Sequence, residues 1–241
     1  LILHRLHPDD TVRVQGFETI EPAYEGHFDL ITSNIPFGDV SLFDPAFSSS
    51  RDPVRRQGAW AIHNYFFMKS VDLVRDGGLV AFITSQGVAD AERNRPVREW
   101  LMERCDLVAA VRLPNNLFTD HAGTEVGSDL IVLQKNSAAR PLSERQRDFI
   151  ETRTLSNGIT VNNSFQSLDR VVQTSAKVGT NPYGKPAMEF THAGGVEGIA
   201  RALADMLAED MERHFNRELY ESHAPKTAPR QYREWQTETV S

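Results

Sequence analysis

Residues 28–40 read FDLITSNIPFGDV, and this stretch decides how the rest of the chain is interpreted. The run 28–33 is compact, largely apolar and ends abruptly in polar and turn-forming residues, which predicts a short buried β-strand. Asn34 follows at the carboxyl end of that strand, and a proline, an aromatic residue and a glycine come directly after it at 36–38. The sequence therefore predicts a side-chain amide at a strand end, on a stiffened turn.

Alternating strand and helix signals follow this strand. The first is a helix over 60–74, with Phe67, Val71 and Val74 on its apolar face and a stop at 76–78. A strand at 79–84 follows, and then a helix that is opened by Pro96 and runs through Val97, Trp100 and Leu101. Two further strands are predicted at 107–113 and 129–135. This alternation predicts an α/β fold with an open, mainly parallel sheet and helices on both faces. Ligands bind beyond the carboxyl ends of strands in such sheets, which is where Asn34 lies.

The chain changes character after Asn136. We expect residues 1–136 to form one domain, 137–194 to be a linker of irregular structure rich in polar residues, Gly and Pro, and 195–241 to be an amphipathic helix with a tail. The helix has one apolar stripe, formed by Ile199, Leu203, Met206, Leu207, Met211 and Phe215. A stripe of this kind needs a partner surface.

Composition restricts the class of protein. The 241 residues include one cysteine and carry a formal net charge of −7. An internal disulfide and a cysteine-based zinc site are excluded, and no apolar run is long enough for a membrane span, so we expect a cytoplasmic protein. The histidines have no metal-ligand spacing, and no metal site is predicted. Nucleic-acid contact would have to be local, and two clusters could supply it: Arg51, Arg55 and Arg56, and Arg93, Arg95 and Arg98.

The residues after the first strand suit chemistry on an amino group. Asn34 offers a side-chain carbonyl, and the backbone carbonyl of Ile35 can point into the same cleft, so two acceptors can hold one NH₂. Pro36 restricts Ile35 to extended conformations, and Phe37 supplies a flat face on which a base can stack. An exocyclic amine inside a duplex cannot reach such a site unless its nucleotide is flipped out. The structural alternative is a strand-ending turn in which Asn34 caps and Phe37 packs inward.

These residues carry a family resemblance. FDLITSNIPFG resembles the catalytic motif of S-adenosylmethionine-dependent amino-methyltransferases, which is Asn or Asp, Pro, Pro, then Tyr or Phe, with Ile35 here in place of the first proline. RDGGLVAFITSQGV and VAAVRLPNNLFTDHAGTEVGSDLIVLQK are similar to elements of N6-adenine DNA methyltransferases, particularly the modification subunits of type I restriction systems. Leu113, Pro114, Phe118 and Lys135 fall on that family's pattern, and the resemblance covers about residues 12–136. A weaker similarity is to the methylase part of large helicase and methylase fusions.

The resemblance implies a Rossmann-like methyltransferase sheet and roles for particular residues. Asn34 and the Ile35 carbonyl would bind the adenine amine, with Pro36 fixing the turn and Phe37 stacking on the base. Phe17 would pack against the cofactor adenine, and Glu18 is the nearest carboxylate for the cofactor amino group.

One part of the family pattern is missing from residues 1–33. The strand, Gly-rich loop and helix that hold the methionine end of the cofactor are not found there. We therefore expect S-adenosylmethionine to bind weakly or not at all to this chain alone. The implied partners are DNA and either an N-terminal region of the same polypeptide or a specificity or helicase partner, with no membrane.

Three alternatives stay open at this point. The domain could be permuted, because MEFTHAGGVEGIARAL has the outline of a strand, glycines and a helix, although it lacks the acid that such loops carry. The enzyme could methylate a protein glutamine, since those enzymes share the Asn, Pro, Pro, aromatic motif. The chain could also be a truncated, non-catalytic methylase module that serves as a scaffold.

Overall fold

The computed structural model describes residues 6, 8–20, 22–36, 38, 40–118, 127–180, 184 and 186–224. Its central feature is a four-stranded sheet. The strands are β1 (Phe28–Asn34), β2 (Val74–Ser85), β3 (Cys105–Leu113) and β4 (Ser128–Lys135), in the spatial order β1-β2-β4-β3. β1 and β2 pair in parallel, while β4 is antiparallel to both of its neighbours, so β1, β2 and β3 share one direction.

Eight helices lie within the described residues. They are α1 (Pro45–Ser48), α2 (Pro53–Gly58), α3 (Ile62–Leu73), α4 (Gly87–Asp90), α5 (Arg95–Arg104), α6 (Glu144–Ile150), α7 (Gly195–His214) and α8 (Arg217–Ser222). The predicted α/β alternation is confirmed, but the sheet is mixed and not mainly parallel, because only β1 and β2 pair in parallel. The helix predicted over 60–74 ends at Leu73, because Val74 already pairs with Phe28 as the first residue of β2.

Helices α3 and α5 cover one face of the sheet and form the main core. Tyr65, Phe67 and Met68 of α3 pack with Leu101 of α5 against strand residues such as Phe82, and all five are almost fully buried. Tyr65 and Met68 are three residues apart and share one side of α3, whereas Phe67 lies on another side, so α3 is buried on more than one side. The apolar run predicted for this helix therefore has the partner surface that it needs.

Helix α7 covers the opposite face. Ile199 packs with Val111 and Leu113, and Leu207 and Met211 pack farther along the sheet, so the predicted apolar stripe faces the sheet. Helices therefore lie on both faces, as the sequence predicts. The covering is uneven, because α7 lies over β3 and β4 while Leu30 on β1 remains 52% exposed. The prediction of a buried first strand is therefore wrong: β1 is an edge strand, and none of its residues is buried.

The segment 137–194, which we expected to be an irregular linker, contains regular structure. It holds α6 and two short antiparallel pairs: β5 (Thr152–Thr154) with β6 (Thr160–Asn162), and β7 (Ser175–Thr180) with β8 (Pro186–Thr191). Two asparagines fix the second pair to the turn after β3: the Asn115 side chain accepts a hydrogen bond from the Phe190 amide, and Asn116 exchanges two with the His192 backbone. These contacts join residues about 75 positions apart. Local sequence patterns cannot predict contacts between residues so far apart in the chain.

No helix in the described part of the chain is long and apolar enough to cross a membrane.

Candidate active site

Asn34 is the last residue of β1, at the edge of the sheet where β1, β2 and β3 all end. Its backbone pairs with Ile83 of β2, while its side chain is exposed. Among the described residues, no hydrogen-bond partner is found for its amide group. The amide is thus turned out of the protein interior, and both its carbonyl oxygen and its NH₂ group remain available to a ligand.

Ile35 occupies the position where the related motif has a proline, and the structure gives a reason for the difference. The Ile35 side chain is fully buried in the main core, and its N–H donates to the Ile83 carbonyl at 2.9 Å. A proline has no N–H and would lose this bond. The backbone at Ile35 is therefore held by one further rung of the β1–β2 ladder and by burial, instead of by a pyrrolidine ring.

The rest of the motif is described only in part. Pro36 is exposed, directly after the buried Ile35. Phe37, the predicted stacking residue, lies outside the described residues, so its proposed role stays a prediction. A β-carbon at Gly38 would meet only the Val40 side chain, at an ordinary contact distance of 3.6 Å. Close packing therefore does not require glycine at this position.

Phe17 and Glu18, the residues predicted to contact the cofactor, lie in a single 3-10 turn, Phe17–Thr19. The Phe17 ring stacks on Phe66 of α3 with centroids 4.6 Å apart and meets the Tyr65 ring edge-on at 6.3 Å. Both predicted residues are half-buried. The Glu18 carboxylate folds back over Gly16, where a β-carbon would lie only 2.0 Å from its Oε1 atom. Phe17 thus offers a fixed aromatic surface, whereas Glu18 lies against its own turn.

A polar group that sequence reasoning did not identify lies one strand away from Asn34. His63, in the first turn of α3, places Nδ1 at 3.5 Å from Thr84 Oγ1 and Nε2 at 3.4 Å from Ser85 Oγ. Ser128, across from Ser85 on β4, has a buried hydroxyl with no hydrogen-bond partner among the described residues. The sequence shows His63 as an isolated histidine, because its partners come more than 20 residues later.

A buried ion cluster lies at the same edge, on the face covered by α3 and α5. Arg112 makes two hydrogen bonds to Asp129, at 2.9 and 3.1 Å, and one to Asp90 at 2.9 Å, and its guanidinium lies 4.1 Å from the Phe165 ring centre. Burial lowers the pKa of Arg112, but the two carboxylates raise it by more, so the net pKa lies above its ordinary value. This cluster fixes the end of β3 and the beginning of β4.

In the structure, some arginines of the two predicted clusters are buried or paired with carboxylates, and others are exposed. Arg98 is fully buried and donates to backbone carbonyls, including that of Ile150, and burial lowers its pKa to about 10. Arg95 pairs with Glu99 and Glu151, and Arg55 forms a two-bond pair with Asp72. The exposed arginines of the first cluster are Arg51 and Arg56.

Four residues fall on the family pattern that spans the last two strands of the sheet, and they lie at both edges: Leu113, Pro114, Phe118 and Lys135. Leu113 and Pro114 come at the end of β3, on the same edge as Asn34, and Phe118 ends the following turn. Lys135 is at the opposite edge, where its Nζ donates to the Val74 carbonyl at 2.8 Å. Its position indicates a role in fixing the sheet and not in the site.

Comparison with known proteins gives the family. The sequence model of the family described as N-6 DNA Methylase matches residues 2–200. This match covers well over half of the chain, so the chain belongs to the N-6 DNA methylase family. The resemblance found in the sequence is thereby confirmed. No match was found among curated proteins.

Solved structures with a related arrangement were also found. A protein from Listeria monocytogenes, described as a class I S-adenosylmethionine-dependent methyltransferase, is 15% identical over 48% of this chain and 34% of its own, with a TM-score of 0.38. A type I restriction enzyme modification subunit from Vibrio vulnificus YJ016 is 14% identical over 64% of this chain and 41% of its own, with a TM-score of 0.40. The EcoKI M protein is 14% identical over 83% and 51%, with a TM-score of 0.36. The chain thus spans between a third and about half of the length of these three proteins.

Proposed function

We propose that this chain carries the amine-binding part of an S-adenosylmethionine-dependent N6-adenine DNA methyltransferase. The observation that supports the proposal is the exposed Asn34 amide at the carboxyl end of β1, next to an Ile35 backbone held by its hydrogen bond to Ile83. Membership of the N-6 DNA methylase family favours DNA over a protein glutamine as the substrate.

In this proposal, the chain contributes position and hydrogen bonding. The Asn34 Oδ1 atom and the Ile35 carbonyl accept hydrogen bonds from the two N–H groups of the adenine amine, which draws the nitrogen toward tetrahedral geometry and makes its lone pair available. The target base is flipped out of the duplex, at a cost of about a few kcal/mol. Phe37 stacks on the flipped base, as the motif predicts.

The cofactor supplies an electrophilic methyl group. The described residues fit only one end of the cofactor, its adenine. The half-buried Phe17 ring, fixed by Phe66 and Tyr65, can pack against an adenine. Within the described part of 6–33, no Gly-rich turn joins a strand to a helix. We infer that a further region, of the same polypeptide or of a partner, holds the rest of the cofactor.

Substitution of Asn34 tests the amine-binding role. Asn34→Ala removes one of the two acceptors, and we expect methyl transfer to fall by on the order of 10²–10³-fold or more, as for other preorganised polar groups. The assay uses labelled S-adenosylmethionine, mixed duplex DNA and the complete polypeptide or complex, with cofactor binding measured separately by calorimetry and expected to change little.

Thr32→Ala is the matched control for this experiment. Thr32 is exposed on the same face of β1, two residues before Asn34, and the substitution should leave transfer unchanged. Asn34→Asp keeps an acceptor and should retain part of the activity. Full activity in Asn34→Ala, or label in protein instead of DNA, would contradict the proposed function.

A further inference from the structure

Three large apolar side chains are exposed on a surface just beyond the amine-binding motif. Val40 is 50% exposed, Phe43 76% and Trp60 70%, and we call them the Phe43–Trp60 patch. Two backbone hydrogen bonds of 2.9 Å hold the two segments of the patch side by side, one from the Leu42 N–H to the Ala59 carbonyl and one from the Ile62 N–H to the Val40 carbonyl. The patch is therefore a defined surface and not a chance exposure of a single residue.

The protein surface under the patch is fixed. Leu42 packs against the main core, and Ala59 is buried. Asp44, directly after Phe43, is buried, accepts hydrogen bonds from Tyr65 and Lys69 of α3 and caps α1 through the Ala46 N–H. The backbone that carries these aromatic rings is therefore already ordered and loses little conformational entropy when a ligand binds.

The charges around the patch favour an anionic partner. Residues 40–61 contain five charged side chains, namely Asp44, Arg51, Asp52, Arg55 and Arg56, and the two that are exposed are Arg51 and Arg56. Asp44 is neutralised by Lys69, and Asp52 is occupied in capping α2 and in binding the Trp100 indole N–H. Exposed arginines and exposed aromatic rings in one short segment of the chain match the phosphates and bases of a nucleic acid.

The patch is close to the proposed amine site. Val40 lies six residues after Asn34, and Ile62, which bonds to Val40, begins the helix whose next residue, His63, contacts Ser85 at the end of β2. β2 is the strand next to Asn34. The patch is therefore joined to the amine site by two short paths, one along the chain from Asn34 to Val40 and one through the contact of His63 with Ser85.

We propose that Phe43 and Trp60 stack on DNA bases that become unstacked when the target adenine is flipped, while Arg51 and Arg56 contact the adjacent phosphates. This inference rests on the proposed function, because flipping removes the stacking partner of the bases beside the target and of the unpaired base opposite it. An exposed aromatic ring replaces that lost stacking.

Binding of DNA with a preformed unpaired base tests the inference. The probe is a fluorescent duplex of mixed sequence with one adenine opposite an abasic site, and binding to the full chain is followed by anisotropy without cofactor. Trp60→Ala and Phe43→Ala should each weaken binding by about 5- to 150-fold, which corresponds to one stacked base. The slope of log Kd against log salt should stay unchanged for both, and Trp60→Phe should retain most of the affinity.

Two controls separate stacking from charge and from general surface effects. Leu168→Ala alters another exposed apolar side chain, 52% exposed, and should leave binding unchanged. Arg56→Gln should instead lower the salt slope by about 0.9. Unchanged binding in both Trp60→Ala and Phe43→Ala would overturn the inference. A second result would also overturn it: if sedimentation shows that the wild-type chain is a dimer and that Trp60→Ala is a monomer, the patch binds a second copy of the chain.

The two proposals fail in different ways. If Asn34→Ala abolishes transfer while Trp60→Ala binds the probe normally, the proposed function stands and the patch inference fails. If Asn34→Ala keeps full transfer while Trp60→Ala loses binding, the patch binds DNA and the assignment of the amine site is wrong.

Discussion

Asp44 shows how one buried carboxylate fixes the chain after the Asn34 motif. Its side chain accepts hydrogen bonds from the Tyr65 hydroxyl at 2.6 Å, the Lys69 ammonium at 3.1 Å and the Ala46 N–H at 2.8 Å. Burial alone would raise the pKa of Asp44, but these donors outweigh burial and hold it below its ordinary value of 3.8. The ionised form of Asp44 therefore stabilises the fold.

The stabilisation from Asp44 should depend on pH in a defined direction. Because its pKa is lower in the folded chain than in the unfolded one, its contribution is complete above the unfolded value and is lost as the pH falls through the folded value. We expect Asp44→Asn to lower the free energy of unfolding at pH 7 by about 1–3 kcal/mol. The difference from wild type should shrink as the pH falls below 3.8. Urea unfolding at several pH values measures it.

Tyr65→Phe is the companion variant for Asp44. It removes one donor and keeps the ring, so its loss of stability at pH 7 should be smaller than that of Asp44→Asn. A difference between wild type and Asp44→Asn that stays constant from pH 7 down to the acid limit would contradict the role of the ionised carboxylate.

At the scale of elements, the contact between α8 and the start of β2 depends on one glycine. Gly77 has a φ of +77°, and a β-carbon there would lie 2.4 Å from the Leu219 carbonyl oxygen of α8. Nearby, Arg75 donates to the Tyr220 carbonyl, and its guanidinium lies 4.5 Å from the Tyr220 ring centre. The backbone of α8 therefore comes close to the sheet only because Gly77 has no side chain.

Gly77→Ala should destabilise the fold by two separable effects. The left-handed conformation costs a non-glycine residue about 1–2 kcal/mol, and the clash with the Leu219 backbone adds to that cost. Gly26→Ala is the matched control, because Gly26 has a φ of +63° but nothing within 4 Å of the added atom. We expect the free energy of unfolding to fall more for Gly77→Ala than for Gly26→Ala. If urea unfolding shows the same loss of unfolding free energy for both variants, the clash with α8 adds nothing to the cost of Gly77→Ala.

Sequence patterns predicted the elements better than their arrangement. The two longer helices, α3 and α5, and the four strands up to residue 135 follow from periodicities of three to four and of two residues, which are local properties, whereas the short helices α1, α2 and α4 were not predicted. The antiparallel direction of β4 is not encoded in such a pattern, since a strand buried on both faces reads the same either way. The proximity of His63 to Ser85 and the docking of β8 on Asn115 depend on contacts between distant segments. For the site, the sequence located Asn34, but it could not show why Ile35 replaces a proline.

At the scale of the whole molecule, we propose that the described residues provide an amine site and only part of a cofactor site. Phe17 and Glu18 are the described residues that we assign to the cofactor, and Glu18 folds against Gly16. An aromatic surface alone gives little affinity for a charged, flexible ligand, because its polar groups remain without partners.

We therefore expect this chain alone to bind S-adenosylmethionine with a Kd weaker than about 1 mM, that is, a binding free energy weaker than about −4 kcal/mol. Titration calorimetry measures the affinity. Phe17→Ala, in the complete polypeptide or complex, is the companion variant, and it should weaken cofactor binding there. Submillimolar binding to the chain alone would contradict the inference that a further region holds the cofactor.

The pairing of β3 with β4 has a consequence for how such enzymes diverge. Leu113 and Ser128 are direct partners in the ladder, so the intervening stretch leaves and re-enters the sheet at one point, on the edge that bears Asn34. Below that point, Arg112 and Asp129 clamp the two strands together. Asn115 and Asn116 of this excursion hold β8, so changes of length or sequence are expected to be tolerated only beyond them. Related chains can thus vary the later part of one loop, on the edge that bears Asn34, while the clamped strands keep their positions.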